Sequence, residues 1–332
     1  MSHSTQASVA RAAPFRLLKR QAAISLDLDD LWTYLRAMGN EDWATAPSLL
    51  QPAADRLLPI LDDLRLRITV FVVGRDALIP SKREIIQSFA RAGHEIASHS
   101  FDHRPDLPHL TRVAIAEDVQ TAEEAIRSAC GTKPTGFRCP AYGISQELIG
   151  ALIDAGYRYD ASLFPTILVP ALRLYHRTLM STRGRSSVSK PPLYGRTSDA
   201  FLPLNPFLWR SSTGQIVEFP VTTLPLVRIP IHMSYIQALA ERSLMLAQRY
   251  LRVAVRLCKI SNVSPSFVLH PPDLLDATEA PALASFPGMS LRADAKIEQV
   301  RGSLELLNTD FQARTLSELV GALCNPLEGG AP

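Results

Sequence analysis

The sequence predicts an α/β fold, a barrel of parallel strands, and three observations predict it. Short apolar runs rich in β-branched residues alternate with segments patterned as helices. Each run closes on polar or ionisable residues. Those closing residues are also the ones in the chain best suited to chemistry. The alternation implies parallel strands joined by right-handed crossovers, and α/β barrels carry their sites at the C-terminal ends of such strands.

The elements follow in order. Ala22 to Leu28 (AAISLDL) is an apolar run ending in acids, the pattern of a buried strand that stops at a site. Between Ala46 and Leu66, residues Leu49, Leu50, Ala53, Leu57, Leu58, Leu61 and Leu64 recur at helical spacing. Ile68 to Val73 is β-branched and closed by Gly74, which predicts a buried strand. A helix over Lys82–Ala92 stops at Gly93, and a short strand, Glu95–Ala97, runs into Ser98 and His99. Thr111–Cys130 and Ser145–Ala155 read as helices, Gly136–Cys139 and Tyr157–Asp160 as strands. After an interruption the beat resumes with a strand over Gln215–Val221, one helix over Ile236–Ile260 and a strand over Ser266–His270. Helices over Ala293–Leu307 and Leu316–Leu323 close the pattern.

The interruption, residues 165–215, is dense in Pro, Ser and Arg and reads as a long loop insertion rather than a second domain. Residues 1–20 read as a disordered basic arm, 21–325 as one domain that includes the insertion, and 326–332 as a tail. With 332 residues, 46% of them hydrophobic and 20% charged, the chain is long enough to bury one large core. A net charge of +3, with no compact basic stripe, argues against a nucleic-acid partner. Cys130, Cys139, Cys258 and Cys324 form no CxxC pair, so free thiols are expected rather than a zinc ribbon or a disulfide framework. No apolar run reaches the ~18 residues of a membrane-spanning helix, and Met1–Arg20 lacks the apolar stretch of a signal peptide. The expectation is a cytoplasmic protein with peripheral contact at the inner face of a membrane through residues 165–215. There, Ile167, Leu168, Phe201 and Trp209 mix with Arg173, Arg177, Arg183, Arg185 and Lys190.

Four segments carry chemistry. Asp27-Leu28-Asp29-Asp30 places three carboxylates within four residues, which repel one another unless a cation sits among them. In an extended chain Asp27 and Asp29 point to the same side. His99 and His103 stand at i and i+4, a spacing that on a helix brings two imidazoles to one metal. Two histidines and a carboxylate make an open triad, with positions left for water and substrate. Arg138, at a strand end before Pro140 and Gly143, is able to pair with a carboxylate. His270 ends the buried run Phe267-Val268-Leu269. Taken singly, each also fits a bland reading: an acidic turn or N-cap, an exposed histidine pair, a structural arginine, a structural histidine.

Together the four segments resemble the NodB-homology polysaccharide deacetylases, carbohydrate esterase family 4, over about Ala22 to Leu323. His99-Ser100-Phe101-Asp102-His103 is similar to the family's metal-binding H-(S/T)-x-x-H. Arg138-Cys139-Pro140-Ala141-Tyr142 is similar to R-x-P-x-Y, and Leu269-His270 to the final motif. The resemblance implies a distorted (β/α) barrel that binds a divalent ion, usually Zn²⁺, through one Asp and two His. Carried over by position, it makes Asp29, His99 and His103 the ligands, Asp27 the general base, Arg138 its partner and His270 the general acid. Tyr142 would offer its backbone N–H to the oxyanion. The implied activity is metal-dependent removal of an N-acyl group, acetyl or formyl, from an amino sugar in a polysaccharide, oligosaccharide or lipid-linked glycan.

Two departures stand out. The first motif has DxDD without the usual glycine, which leaves base and ligand open between Asp27/Asp29 and Asp29/Asp30. The fourth, normally D-x-x-x-W, survives as Asp160 with Phe164. Two other functions share the expected fold: an allantoinase-like cyclic-amide hydrolase and a catalytically silent sugar- or lipid-binding module. The retained Asp27 weighs against the first, and the complete set of histidines and Arg138 against the second.

Overall fold

The computed structural model describes residues 9–14, 20–174 and 195–328. Its strands are β1 (Ala10–Pro14), β2 (Gln21–Asp27), β3 (Thr69–Val72), β4 (Glu95–Ser98), β5 (Gly136–Phe137), β6 (Tyr159–Asp160), β7 (Phe207–Arg210), β8 (Gln215–Glu218), β9 (Ser266–Leu269) and β10 (Gln312–Arg314). The helices that follow the parallel strands include α1 (Leu31–Ala37), α2 (Leu50–Asp63), α3 (Gly74–Ala77), α4 (Pro80–Arg91), α5 (Arg112–Cys130) and α6 (Gln146–Asp154). The second half adds α7 (Met233–Ala240), α8 (Leu244–Ile260), α9 (Ala293–Asp310) and α10 (Leu316–Glu328).

Strands β9, β2, β3, β4, β5, β6 and β8 lie side by side in parallel. Beyond β8 the ring closes on β9 without a ladder: the Thr222 N–H donates to the Ser266 carbonyl at 3.1 Å, and the Ser266 N–H to Thr222 Oγ1. The result is a distorted barrel, narrow at β5 and β6, which hold two residues each. Gly136 makes that narrowing possible. A Cβ there would sit 1.8 Å from the Tyr159 ring, so only glycine lets β5 and β6 approach.

Alternation along β2 sorts its side chains into two cores. Ala22, Ile24 and Leu26 face the helices with Val70, Val72, Phe267 and Leu269. Ala23 faces inward with Phe71, Ala97, Tyr159 and Val217, and α10 closes that inner cluster with Leu316, Leu319 and Val320. The period of two therefore puts Ser25 and Asp27 on the inward row as well, aimed up the barrel axis at the C-terminal end.

Several expectations are corrected by the structure. Residues 10–14, expected within a disordered arm, form β1, which pairs antiparallel with β7; residues 1–8 and 15–19 lie outside the described residues. The loop insertion of 165–215 contributes β7 itself, antiparallel to β8, so Phe207 and Leu208 are core residues; 175–194 lie outside the described residues. The single helix expected over 236–260 is two, because Ser243 caps a new start by accepting the Leu246 N–H. The last helix runs to Glu328, into the expected tail. Cys130, Cys139 and Cys258 are free thiols, as expected.

Candidate active site

The seven residues singled out in the sequence converge at the C-terminal end of the barrel. Asp27 closes β2. Its Oδ1 is joined to Arg138 Nη1 in a short charged hydrogen bond, and its Oδ2 lies 3.7 Å from His270 Nε2. Arg138 is fully buried, which a guanidinium tolerates only when paired. Its Nε donates to the Ala161 carbonyl at 2.9 Å, Nη1 also donates to Ser25 Oγ at 2.9 Å, and its plane lies over Phe71. The inward row of β2 is thus the seat of the Asp27–Arg138 pair.

One residue on, the Asp29 N–H donates back to the Asp27 carbonyl at 2.9 Å. This tight turn swings Asp29 across the barrel mouth. Its Oδ1 lies 3.4 Å from His99 Nε2 and 3.2 Å from His103 Nε2, with all three ligand atoms within 4.8 Å of one another. Asp30 turns the other way. It caps α1 through the Leu31 N–H, accepts the Leu49 N–H at 2.7 Å, and pairs with Lys82 Nζ at 2.7 Å. Lys82 also reaches Asp76, whose carboxyl is pushed by burial up to about 6 against the pull of Lys82. Asp30 is an anchor for α1 and α4, and the residues facing the histidines and Arg138 are Asp29 and Asp27.

His99 and His103 do not share a helical face. The segment leaves β4 as a bent loop in which Ser100 (φ 63°) and His103 (φ 47°) are left-handed, each at a cost of about 1–3 kcal/mol for a non-glycine residue. Hydrogen bonds hold the bend. The Gly74 and Arg75 N–H groups donate to the Ser100 and Phe101 carbonyls, the Phe101 N–H to Asp118 Oδ1, and the His103 N–H to Ser100 Oγ. His99 Nδ1 lies 2.7 Å from the Arg138 carbonyl, a contact that requires the proton on Nδ1 and leaves an Nε2 lone pair facing Asp29 and His103. This donor set, one carboxylate oxygen and two imidazole nitrogens, fits a divalent ion such as Zn²⁺. Burial opposes ionisation of Asp29, yet His103 and His99 hold its carboxyl below the ordinary range. Burial lowers His99, whereas for His103 the attraction of Asp29 outweighs burial and raises it.

His270 faces this group from β9. Its backbone N–H donates to Asp273 Oδ2 at 2.8 Å, and the same oxygen lies 4.0 Å from Nδ1. Asp273 is fixed in turn by Ser234 Oγ (2.8 Å) and, at its carbonyl, by Gln237 (2.7 Å), while the buried Lys296 donates to the Pro272 carbonyl at 2.6 Å. The Tyr142 hydroxyl lies 3.5 Å from His270 Nε2. The Tyr142 N–H, expected at an oxyanion, donates to the Cys139 carbonyl at 3.1 Å within the left-handed turn of Ala141 and Tyr142. An oxyanion there would have to share it.

Asp160 is buried beside Glu218, its partner across β6 and β8. It accepts from Ser162 Oγ, which in turn accepts the Cys139 N–H, so Asp160 steadies the Arg138–Tyr142 turn from below. Phe164 packs on Tyr142 with ring centres 5.0 Å apart and supplies the aromatic floor. The sequence reading missed His232, buried between Phe164, Tyr235 and His270, and also Asp273 and Lys296 behind His270. Only Asp273, three residues beyond His270, carried a local signal, the cap-like spacing of its carboxylate.

Comparison with known proteins agrees with this geometry. A family model described as polysaccharide deacetylase matches residues 21–159. A chitooligosaccharide deacetylase from Bradyrhizobium sp. (strain ANU 289) is 35% identical over 102 residues, 30% of this chain and 45% of that protein. A peptidoglycan deacetylase from Helicobacter pylori is 28% identical over 153 residues, 45% of this chain and 51% of that protein. The chain thus spans about half the length of these relatives. Among solved structures, a polysaccharide-deacetylase-like protein from Mycobacterium smegmatis superposes over 96% of both chains with a TM-score of 0.62 at 18% identity. Puue allantoinase does so over 92% of this chain and 90% of its own, with a TM-score of 0.57 at 12% identity. Identities this low speak for the fold, a distorted barrel common to both. With the matched motifs and the converging side chains, residues 21–159 are similar to the polysaccharide deacetylase family, the NodB-homology group.

Proposed function

We propose that this chain is a metal-dependent hydrolase that removes an N-acyl group, acetyl in the first instance, from an amino sugar. The observation that carries the reading is the pair of facing units: Asp29 with His99 and His103 on one side, Asp27 with Arg138 and His270 on the other, 3.7 Å separating Asp27 from His270. Asp29, His99 and His103 would hold the ion, Zn²⁺ by the chemistry of the set. When bound, it would polarise the acyl carbonyl and lower the pKa of water toward ~7.

The remaining steps belong to the protein's own groups. Arg138 pairs with Asp27 and holds it turned inward, so Asp27 is the base that takes a proton from the attacking water. The leaving amine is too basic to depart without a proton, and His270, on the far side of Asp27, is the acid that supplies it. Tyr142 and Phe164 wall the acyl group, and the Tyr142 turn offers its dipoles to the developing oxyanion. No covalent intermediate is needed.

Support for a lipid-linked sugar comes from exposed apolar residues, Ile167, Phe201, Leu226 and Val227. Assay of acetate and formate release from free and lipid-linked N-acyl sugars, beside cyclic amides such as allantoin, tests the reading. Acyl release abolished by chelator supports it, and ring opening of the cyclic amide alone would replace it.

A further inference from the structure

We infer that Lys296 is a positioning residue for His270, its ammonium keeping Asp273 a carboxylate behind the proposed acid; the inference rests on the reading of His270 as that acid. Lys296, carried by α9, is 1% exposed. Lysine is almost never fully buried unless paired, because an ammonium taken out of water loses far more solvation than a single hydrogen bond supplies. Here Nζ donates to the Pro272 carbonyl at 2.6 Å and lies 3.5 Å from Met289 Sδ, and neither partner is charged. An apolar side chain of similar length would fill the same space without that cost. A charge kept in such a place points to another charge that it serves.

The peptide that Lys296 grips shows which. The Pro272 carbonyl belongs to the same peptide as the Asp273 N–H, which donates to the His270 carbonyl at 2.9 Å. The Asp273 carboxylate takes the His270 N–H on Oδ2 at 2.8 Å and stands 4.0 Å from Nδ1. An ammonium pulling on the carbonyl of this peptide strengthens the bond made by its N–H. Asp273 is 2% exposed, and burial pushes its carboxyl up against the pull of His270 and of Lys296. Burial draws the Lys296 ammonium down to about 8, against the attraction of Asp273, Glu241, Asp276 and Glu279, so it is charged at neutral pH. The other elements packed on the 271–274 turn bring no rival cation among the described residues. From α2, Arg56 donates to the Leu274 carbonyl but is joined to Glu279. From α7 come the uncharged Ser234 and Gln237. The Tyr34 phenol of α1 is pushed up by burial, then by Asp29, Asp273 and Asp27, and stays neutral. Without the Lys296 charge burial meets less opposition, so Asp273 takes up its proton at a higher pH and its grip on His270 weakens.

Carbon-13 NMR titration of the aspartate carboxyls in the full chain tests the charge directly, the Asp273 signal being the one that Asp273→Asn lacks. The Asp273 midpoint should rise in Lys296→Met. It should rise also in Lys296→Gln, which keeps a donor for the Pro272 carbonyl without the charge and serves alone should the Met variant not fold. Both variants should lose ~10-fold in turnover of N-acetyl sugars, with KM and the turnover of an aryl acetate ester little changed. An unmoved Asp273 midpoint, wild-type turnover in Lys296→Gln, or equal loss on amide and ester would overturn the proposal. The two ideas separate cleanly: an unmoved midpoint in a chain that releases acetate removes only the role of Lys296. A raised midpoint in variants of a chain that releases none removes the proposed activity and leaves the charge coupling standing.

Discussion

His270 stands between two carboxylates, 3.7 Å from Asp27 at Nε2 and 4.0 Å from Asp273 at Nδ1, and each governs a different property. Asp27 is the proposed base, so Asp27→Asn should lose ~10²-fold or more in turnover while the protein keeps its metal, measured by elemental analysis. Asp273 orients the proposed acid. Asp273→Asn keeps an acceptor for the His270 N–H but removes the charge, and turnover of N-acetyl sugars should fall ~10-fold with little change in KM. An aryl acetate ester, whose leaving group departs without a proton, should be nearly unaffected by that substitution. Equal loss on both substrates would mean that Asp273 only holds the loop. His99→Ala and His103→Ala should each lower metal content, and full stoichiometry in either would remove that residue from the ligand set. At this scale the sequence was highly legible in residue identity and less so in conformation. The choice between Asp29 and Asp30 hung on a turn closed by the Asp27 carbonyl, and on Lys82 drawing Asp30 away, neither of which a one-dimensional spacing contains.

Between single residues and the whole barrel, β6 and β8 carry the least ordinary electrostatics. Burial pushes the Asp160 carboxyl up to about 6, and burial together with Asp160 pushes Glu218 well above its usual range. Both folded-state values lie above the unfolded ones. Their contribution is therefore fully present below the unfolded carboxylate range near pH 4 and is lost as pH rises through about 6 and beyond. Asp160→Asn removes one of the two titrating groups, so its melting temperature should fall less than the wild type's between pH 5 and pH 8 in calorimetry. An identical pH profile would show that the pair is not the source. Strands and helices whose apolar pattern was strong, β2, β3, α2 and α5, were read within a few residues of their bounds. The elements misread depended on distant partners: β1 exists because β7 pairs with it, and β7 because β8 does. The break between α7 and α8 was visible in Ser243 as a capping residue but hidden inside a continuous apolar periodicity.

For the molecule as a whole, the parallel barrel was legible because the alternation of strand and helix leaves few topologies open. Its irregular closure through Thr222 and Ser266 was not, since one pair of hydrogen bonds has no compositional signature. The surroundings of His270 draw on distant parts of the chain, His232 before α7, whose ring lies 5.9 Å from that of His270, and Lys296 in α9, which holds the Pro272 carbonyl, and such convergence appears only in three dimensions. If the ion binds the folded barrel and not the unfolded chain, metal at a thousandfold excess over its Kd should stabilise it by about 4 kcal/mol. The most direct measurement is acetate release from N-acetylated chito-oligosaccharides and peptidoglycan fragments by the Zn²⁺-loaded protein, the chelated protein and Asp27→Asn. The predicted result is release by the first alone, restored to the second when Zn²⁺ is returned. Full release after chelation, or undiminished release by Asp27→Asn, would contradict it.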